Sequence, residues 1–250
     1  GGRVRQAAPA YTNTAGLPHD DAILLPIVRQ HTQAGSPGVK IYSKYGPQQG
    51  RKGIEETCRT LESVRQAVGD APLIALEAVC CWDYEYTMEL ARRIAHIQIA
   101  WLEEPCLPDR MDEYARLRQN CPIPISAGEH SVTRWSFKQM MDLGAADIYQ
   151  PEPMWCGGIG EAKRIIELAA CYSRKVYLHN CCPNVVAHMM VSSSPDVCPM
   201  TEYLLNINEA AQFFLSHPTR PEGGLVAPPE IPGIGCDIDM SKVEREELLS

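Results

Sequence analysis

The chain has 250 residues, a formal net charge of −8 and 45% apolar residues. This length allows a single domain with a full hydrophobic core, and the negative charge disfavours general affinity for nucleic acid or anionic membranes. The apolar runs fall short of the ~20 residues that a membrane span needs, and the N-terminus lacks the apolar core of a signal peptide, so we expect a soluble protein of the cytoplasm.

Short apolar strands alternate with amphipathic helices along the chain. In chain order, strands are predicted at residues 9–12, 39–45, 73–76, 97–102, 123–127, 148–150, 176–178 and 200–203. Helices are predicted at about residues 20–33, 53–68, 82–95, 111–118, 136–143, 157–172 and 184–191.

This strict alternation requires a parallel sheet with helical crossovers. Eight such units close into a barrel more readily than they form an open sheet, so the predicted fold is α/β, a (β/α)8 barrel of the TIM type. We assign the barrel to residues 1–220 and expect residues 221–250, which begin with a stretch rich in proline and glycine, to form a C-terminal extension packed on it. A leucine-rich solenoid has a similar period, but the chain lacks a repeated Leu-x-x-Leu-x-Leu pattern.

Acidic residues and one histidine follow the later strands at intervals of 23 to 27 residues. Because the carboxyl ends of all strands in a barrel open at one rim, we expect these side chains to meet at a single mouth. They are Glu77, Glu103, Glu129, Glu152, His179 and Glu202.

Glu77, Glu103 and Glu129 end three consecutive strands. Carboxylates gathered at one rim repel each other and need a cation, and hard oxygen ligands suit Mg2+ better than zinc. A single glutamate in such a position more often pairs with a basic neighbour or faces solvent, but three in register favour a metal site. Glu104, beside Glu103, is expected to make a supporting ion pair or hydrogen bond.

Glu152 and His179 end the sixth and seventh strands. Neighbouring strands place the two close enough for the carboxylate to hold one imidazole nitrogen and leave the other free as a general base or acid. A lone histidine after an apolar strand is more often structural, but its register with the predicted metal site favours a catalytic role.

Eleven cysteines are scattered along the chain without any CxxC spacing. A zinc site built from thiolates would normally show such a spacing. The cysteines are therefore predicted to be small, reduced side chains of a cytosolic protein.

Several motifs together resemble the barrel of the enolase superfamily, in its mandelate racemase subgroup. They are the Trp-Leu-Glu-Glu-Pro of residues 101–105, the Ile-Ser-Ala-Gly-Glu-His of residues 125–130, the Gln-Pro-Glu of residues 150–152 that leads to Gly157-Gly158, and His179. The nearest type is the acid-sugar dehydratases that act on rhamnonate, to which Thr-Arg-Trp at 133–135 and Thr-Glu-Tyr-Leu at 201–204 are similar. The resemblance extends from Gly1 to the tail at residues 233–239.

The resemblance implies a carbon–oxygen lyase that dehydrates a sugar acid, an aldonate or aldarate, with Mg2+. The α proton is removed to give an enediolate, and loss of the β hydroxyl yields a 2-keto-3-deoxy acid. By the family pattern Glu77, Glu103 and Glu129 are the metal ligands and His179 is the base or acid, oriented by Glu152. Glu202 is implied as a partner of the substrate carboxylate or enediolate, and His130 and Arg134 as contacts of the sugar acid.

Some residues depart from the subgroup's pattern. Glu77 and Glu152 stand where aspartate is usual, and the Lys-x-Lys at the end of the second strand aligns with Ser43 and Tyr45. Tyr45 then takes a catalytic position and Ser43 a substrate-binding one, and a racemase with two opposed bases is disfavoured. These replacements keep an alternative open, namely a degenerate, non-catalytic barrel that binds a metal or a sugar acid.

The partners that the resemblance implies are a small-molecule sugar acid and further copies of the chain. Family members also carry an N-terminal capping domain that closes the barrel mouth, and this sequence starts about where such a domain would end. We therefore expect any cap to be a separate domain or chain, or to be absent. No nucleic-acid or membrane partner is expected.

Overall fold

Eight parallel strands, each followed by a helix, form the body of the protein in a computed structural model that describes residues 2–18 and 20–245. The strands are β1 (Ala8–Asn13), β2 (Gly38–Tyr42), β3 (Leu73–Glu77), β4 (Leu102–Glu103), β5 (Ile125–Ala127), β6 (Ile148–Tyr149), β7 (Lys175–Val176) and β8 (Thr201–Leu204). The helices are α1 (Asp21–Gln33), α2 (Gly50–Val68), α3 (Tyr84–Ile94), α4 (Met111–Asn120), α5 (Thr133–Asp142), α6 (Ile159–Cys171), α7 (Pro183–Val191) and α8 (Leu205–Ala211).

The sheet runs in the order β7-β6-β5-β4-β3-β2-β1-β8, so consecutive strands are neighbours and β1 meets the last parallel strand. Strand β8 also contacts the segment that follows β7, which closes the sheet. There the backbone N–H of Glu202 donates to the Leu178 carbonyl at 3.4 Å, and the Thr201 hydroxyl donates to the same carbonyl at 2.9 Å. The structure confirms the predicted (β/α)8 barrel.

The barrel interior is filled by aromatic side chains below its mouth. Trp101 contacts Tyr11 and Tyr177 edge to face, with ring centroids 5.3 Å apart in both pairs. Trp101 lies two residues before Glu103, and side chains two apart on a strand point to the same side. The aromatic layer therefore lies directly beneath the carboxylates of the rim.

The main hydrophobic core lies outside the sheet, between the strands and the surrounding helices. In α2 the buried residues Ile54, Leu61 and Val64 fall on one face of the helix, as a period of 3.6 residues requires. Asp83 begins α3 by accepting a hydrogen bond from the backbone N–H of Tyr86 at 2.8 Å.

Several predicted strands are longer than the observed ones, and β2 and β4 differ most. Strand β2 ends at Tyr42 rather than residue 45, and β4 starts at Leu102 rather than residue 97. Residues Ala95–Ile97 form a 3-10 turn and Gln98 has a φ of 61°, a left-handed conformation that cannot continue a strand.

Part of the predicted C-terminal extension contacts the barrel. Strand β9 (Leu225–Val226) pairs antiparallel with β1, and the Asn184 side chain donates to the Gly235 carbonyl at 2.6 Å. The domain boundary at residue 220 remains a prediction, and residues 246–250 lie outside the described residues. No described helix is both long and apolar enough to cross a lipid bilayer.

Candidate active site

The ends of β3, β4 and the loop after β5 bring three glutamates together at the barrel mouth. Glu77 and Glu103 are direct neighbours in the sheet, and Glu129 follows two residues after β5. Glu77, Glu103 and Glu129 each offer a carboxylate oxygen, and these oxygens lie within 4.8 Å of one another. The geometry matches a site that could hold a hard cation.

Lys40 is the unexpected member of this cluster. Its side chain is fully buried, and its Nζ lies 3.0 Å from Glu77 Oε2 and 2.7 Å from Glu202 Oε1, and also contacts Glu103 Oε1. Lys40 is paired in register with Ala75 of β3, whose small side chain leaves room for the lysine to extend toward the mouth. One ammonium group therefore joins three buried carboxylates.

The buried carboxylates around Lys40 differ in the direction of their pKa shifts. Burial alone would raise the pKa of Glu103, but Lys40 and hydrogen bonds, including one from Gln150 Nε2 at 2.7 Å, lower that pKa to about 2. Burial and the neighbouring charge of Glu103 instead raise the pKa of Glu77 well above its usual value. Burial opposes the charge on Lys40, but its three carboxylate partners raise the lysine pKa well above its usual value.

Two carboxylate oxygens in the cluster are buried and lack a hydrogen-bond partner among the described residues. They are Glu129 Oε2 and Glu202 Oε2. Burial raises the pKa of Glu129 to about 7, against the opposing charges of His179 and Lys40. Carboxylate oxygens without a hydrogen bond and a surplus of acidic groups fit a divalent cation, which would share Glu77 and Glu103 with Lys40.

His179 and Glu152 form the pair that the sequence predicts. His179 Nδ1 lies 2.8 Å from Glu152 Oε2, and both glutamate oxygens also accept backbone N–H groups at 2.8 Å, from Cys181 and Met154. Glu152 is thus held in place and fixes the imidazole orientation.

The other imidazole nitrogen of His179 faces the acidic cluster. Nε2 lies 3.4 Å from Glu129 Oε2 and 3.5 Å from Glu202 Oε2. Burial would lower the pKa of His179, but Cys181, Glu152 and these two carboxylates raise it well above its usual value. The ring of Trp155, 49% exposed, stacks on His179 at a centroid distance of 5.9 Å and forms one wall of the mouth.

Ser43 and Tyr45, which the sequence assigns to the site, lie beyond the end of β2, and their roles toward a substrate remain predictions. Because β2 ends at Tyr42, residues 43–45 belong to the loop that follows, where the Ser43 hydroxyl donates to the Tyr45 carbonyl at 2.8 Å. Tyr42 takes the inward position instead. It pairs in register with Glu77, and its hydroxyl accepts from the Asn13 side chain at 3.3 Å. Burial raises the pKa of Tyr42, so its phenol stays protonated.

His130 and Arg134, predicted to contact a sugar acid, are each bound to a protein carboxylate. His130 pairs with Glu104, which makes the supporting ion pair expected of it. Arg134 binds Glu161 through two parallel contacts of 2.8 and 2.7 Å and thereby links the first turns of α5 and α6. The role of either residue toward a substrate remains a prediction.

Sequence reasoning missed Lys40, Tyr42 and Trp155. A signal for the first two was present, because a lysine within the apolar strand Val39-Lys40-Ile41 must be buried and paired, and Tyr42 lies two residues further on the same face. Trp155 lies in a loop with no periodic pattern, so its contact with His179 depends on the tertiary structure alone.

Comparison with known proteins identifies the family. The enolase C-terminal domain-like family matches residues 27–242. An L-rhamnonate dehydratase of Saccharopolyspora erythraea is 30% identical over 250 residues, covering 95% of this chain and 63% of that protein. A D-galactarolactone cycloisomerase of Agrobacterium fabrum is 31% identical over 197 residues, covering 75% of this chain and 52% of that protein.

A solved structure shares the fold over nearly the whole chain. The 3,6-anhydro-D-galactonate cycloisomerase from Zobellia galactanivorans is 28% identical, with a TM-score of 0.85, covering 97% of this chain and 66% of that one. The chain thus spans about half to two thirds of the length of these relatives. With the family match over most of its residues, the chain belongs to the enolase superfamily.

Proposed function

We propose that this barrel dehydrates a sugar acid, an aldonate or aldarate, with the help of Mg2+, and releases a 2-keto-3-deoxy acid. The observation that carries the proposal is the alignment of His179 Nε2 toward the carboxylate cluster, with Glu152 behind Nδ1. The dehydratase and the two cycloisomerases that resemble this chain act on sugar-acid compounds, which supports this class of substrate.

Glu77, Glu103 and Glu129 are the residues that would hold Mg2+. When bound, the ion supplies positive charge beside the substrate carboxylate and so makes the adjacent carbon acid easier to ionise. Lys40, between Glu77, Glu103 and Glu202, adds a second, fixed positive charge at the same place.

His179 moves the proton in the proposed reaction. When Glu129 holds the cation, its charge no longer raises the His179 pKa, which favours the neutral imidazole. In its neutral form Nε2 accepts the proton from the carbon next to the substrate carboxylate, and in its protonated form it donates to the β hydroxyl, which leaves as water. Glu152 keeps the imidazole in one orientation through both steps. Tyr42, whose phenol stays protonated, is placed to donate a hydrogen bond to the sugar acid.

A second candidate is a non-catalytic barrel that binds a metal or a sugar acid. Lys40 favours it, because its ammonium group already neutralises two of the three glutamates that would hold the ion. A buried lysine in this position can satisfy the cluster without a metal.

A library of aldonates and aldarates, incubated with the full-length protein and Mg2+, separates the two candidates. The dehydratase proposal predicts a semicarbazide-reactive keto acid from at least one library member, formed with Mg2+ and lost on chelation. If calorimetry shows tight binding of Mg2+ and of an acid sugar while no library member is converted, the barrel is a binding protein. A sugar acid that is isomerised without loss of water would instead indicate a cycloisomerase.

The remaining assignments belong to the same proposal. A soluble sugar acid as substrate and the balance of charge favour a cytoplasmic protein without nucleic-acid or membrane partners. Assembly into a homo-oligomer and closure of the mouth by a capping domain or chain are proposed from the family resemblance. Light scattering of the full-length protein tests the assembly.

A further inference from the structure

A second cluster of side chains that could bind a metal lies beside the glutamate cluster and has no step in the proposed proton transfer. Cys80 follows β3, Glu104 follows β4 and His130 follows β5, so three consecutive strand-to-helix loops each contribute one residue. Cys80 Sγ lies 3.1 Å from Glu104 Oε2 and 3.9 Å from His130 Nδ1, and Nδ1 also contacts Glu104 Oε2. A sulfur, a nitrogen and an oxygen therefore face one another.

The backbone around this cluster is held in an uncommon conformation. Val79, Cys80 and Glu104 have φ angles of 52°, 55° and 39°, in the left-handed region that non-glycine residues rarely adopt. The Cys80 N–H donates to the Glu104 carbonyl at 2.7 Å, which ties two of the loops together. Strained residues that the surrounding structure holds in place are typical of binding sites.

Glu104 is well supported as a ligand. Its Oε1 accepts the backbone N–H of Gly128 at 3.1 Å, while its Oε2 contacts only Cys80 and His130 among the hydrogen bonds of the described residues. One oxygen is thus oriented by the protein, as the outer contacts of metal ligands usually are, and the other faces the remaining two donors.

We infer that Cys80, Glu104 and His130 form a zinc site, separate from the glutamate cluster. A thiolate, an imidazole and a carboxylate suit Zn2+, whereas Mg2+ prefers oxygen ligands alone. The His130 side chain is 40% exposed and Cys80 is half-buried, so a fourth position is open to water. When Zn2+ binds, the Cys80 S–H bond breaks, a sulfur–zinc bond forms and the proton goes to solvent. The proton that His130 Nδ1 shares with Glu104 leaves as well, to solvent from the imidazolium or to Nε2 in the neutral ring, and a nitrogen–zinc bond forms in its place.

The similar group of Glu152, His179 and Cys181 does not meet the same conditions. There the glutamate oxygen nearest the other donors is already held by the Cys181 backbone N–H at 2.8 Å, and His179 Nδ1 is its partner in the orienting pair. Glu103 ends β4 and Glu104 is the first residue of the loop that follows, so the zinc site and the glutamate cluster share no residue although they are neighbours in the chain.

Cobalt spectroscopy tests the site without any substrate. Metal-stripped protein is titrated with Co2+ in excess Mg2+, and we expect one equivalent to give the near-ultraviolet charge-transfer absorption of a cobalt–thiolate bond, which Zn2+ then removes. Cys80→Gly should abolish this band and relieve the left-handed strain at residue 80, so the variant is expected to fold. His130→Gln should weaken binding by roughly tenfold or more.

Matched controls come from the neighbouring cysteines. Cys81→Ser, next to Cys80 but exposed, and Cys181→Ser should both keep the band with unchanged Co2+ affinity. The zinc site is contradicted if wild-type protein shows no cobalt–thiolate band, or if the band survives Cys80→Gly. Loss of the band in Cys181→Ser would assign the thiolate to Cys181 instead.

Discussion

Lys40 is the residue on which the electrostatics of the barrel mouth depend most. A buried lysine without partners would lose its proton, and the carboxylates around it would repel one another. The contacts of Nζ with Glu77, Glu103 and Glu202 stabilise the charge of the lysine and reduce the repulsion among the carboxylates. The mouth therefore contains a built-in cation before any metal binds.

Replacement of Lys40 with methionine tests this. Lys40→Met keeps the approximate length of the side chain but leaves three buried carboxylates unpaired, which should cost about 3–5 kcal/mol of unfolding free energy in chelator. Urea denaturation measures the loss, and Mg2+ should restore part of it by binding the same carboxylates. Lys44→Met, at an exposed position four residues later, is the control and should change stability little. Equal stability of Lys40→Met and wild type in chelator would rule out this role.

Glu129 should make the stability of the metal-free protein depend on pH. The pKa of Glu129 is about 7 in the folded protein, and the ordinary value of 4.5 applies to the unfolded chain. The folded protein therefore binds this proton more tightly than the unfolded chain does. The resulting stabilisation is complete below pH 4.5 and is lost as the pH rises through about 7, by roughly 3 kcal/mol.

A Glu129→Gln variant isolates this contribution. Urea denaturation in chelator at a series of pH values measures the unfolding free energy of both proteins. Between pH 5 and pH 8 wild type should lose stability relative to Glu129→Gln, because only wild type carries the titrating carboxyl group. A difference that stays constant over this range would show that Glu129 titrates normally.

The position of a residue at the barrel mouth was predictable where the residue directly follows an apolar strand. Glu103, Glu152 and His179 each follow directly from an apolar strand, so their arrival at one rim could be predicted. Tyr42 could not be distinguished from Tyr45, because the side of the barrel that a residue faces depends on where β2 stops, and a shift of one residue reverses it. Lys40 was overlooked because its three partners are distant in sequence.

At the scale of the elements, the loop between β5 and α5 determines where Glu129 lies. Gly128 has a φ of 136°, and a Cβ at this position would lie 2.8 Å from the Phe137 ring and 3.1 Å from the Gln150 backbone nitrogen. Its N–H also binds Glu104. The loop therefore connects both acidic clusters through a position that only glycine fits.

Gly128→Ala should destabilise the protein and displace Glu129. We expect a loss of more than about 1 kcal/mol, from the strained φ together with the clash against packed neighbours. Gly160→Ala in α6, where the new Cβ would meet only the end of an arginine side chain at 3.7 Å, is the control and should stabilise the helix by up to about 1 kcal/mol. Thermal unfolding of both variants measures this contrast, and a Gly128→Ala protein as stable as Gly160→Ala would contradict it.

The order of the elements was predictable because hydrophobic periodicity changes clearly between strand and helix in this chain. Helices such as α2 and α6 were placed within a few residues of their observed ends. The boundaries of β2 and β4 were not predictable, because the chain turns away from extended geometry at Ser43 and Gln98, where the side chains give no signal of a break.

At the scale of the whole molecule, the barrel gathers the residues of the candidate site from seven strands, β2 to β8, and the loops that follow them, without any local motif that contains them all. The closed sheet makes neighbours of residues as far apart as Lys40 and Glu202. The chain spans about 63% of the rhamnonate dehydratase and 66% of the solved cycloisomerase, so substrate choice in this family member is best measured on the full-length protein.

The most direct test of the proposed chemistry compares wild type and His179→Asn on a sugar acid that the library screen identifies. Asparagine keeps a hydrogen bond donor for Glu152 but cannot exchange the substrate proton. We predict that turnover falls by about 10²-fold to 10⁴-fold while calorimetry shows sugar-acid affinity changed little, because only the proton transfer is removed. Turnover that His179→Asn leaves unchanged would contradict the assignment of proton transfer to His179 at the mouth of this barrel.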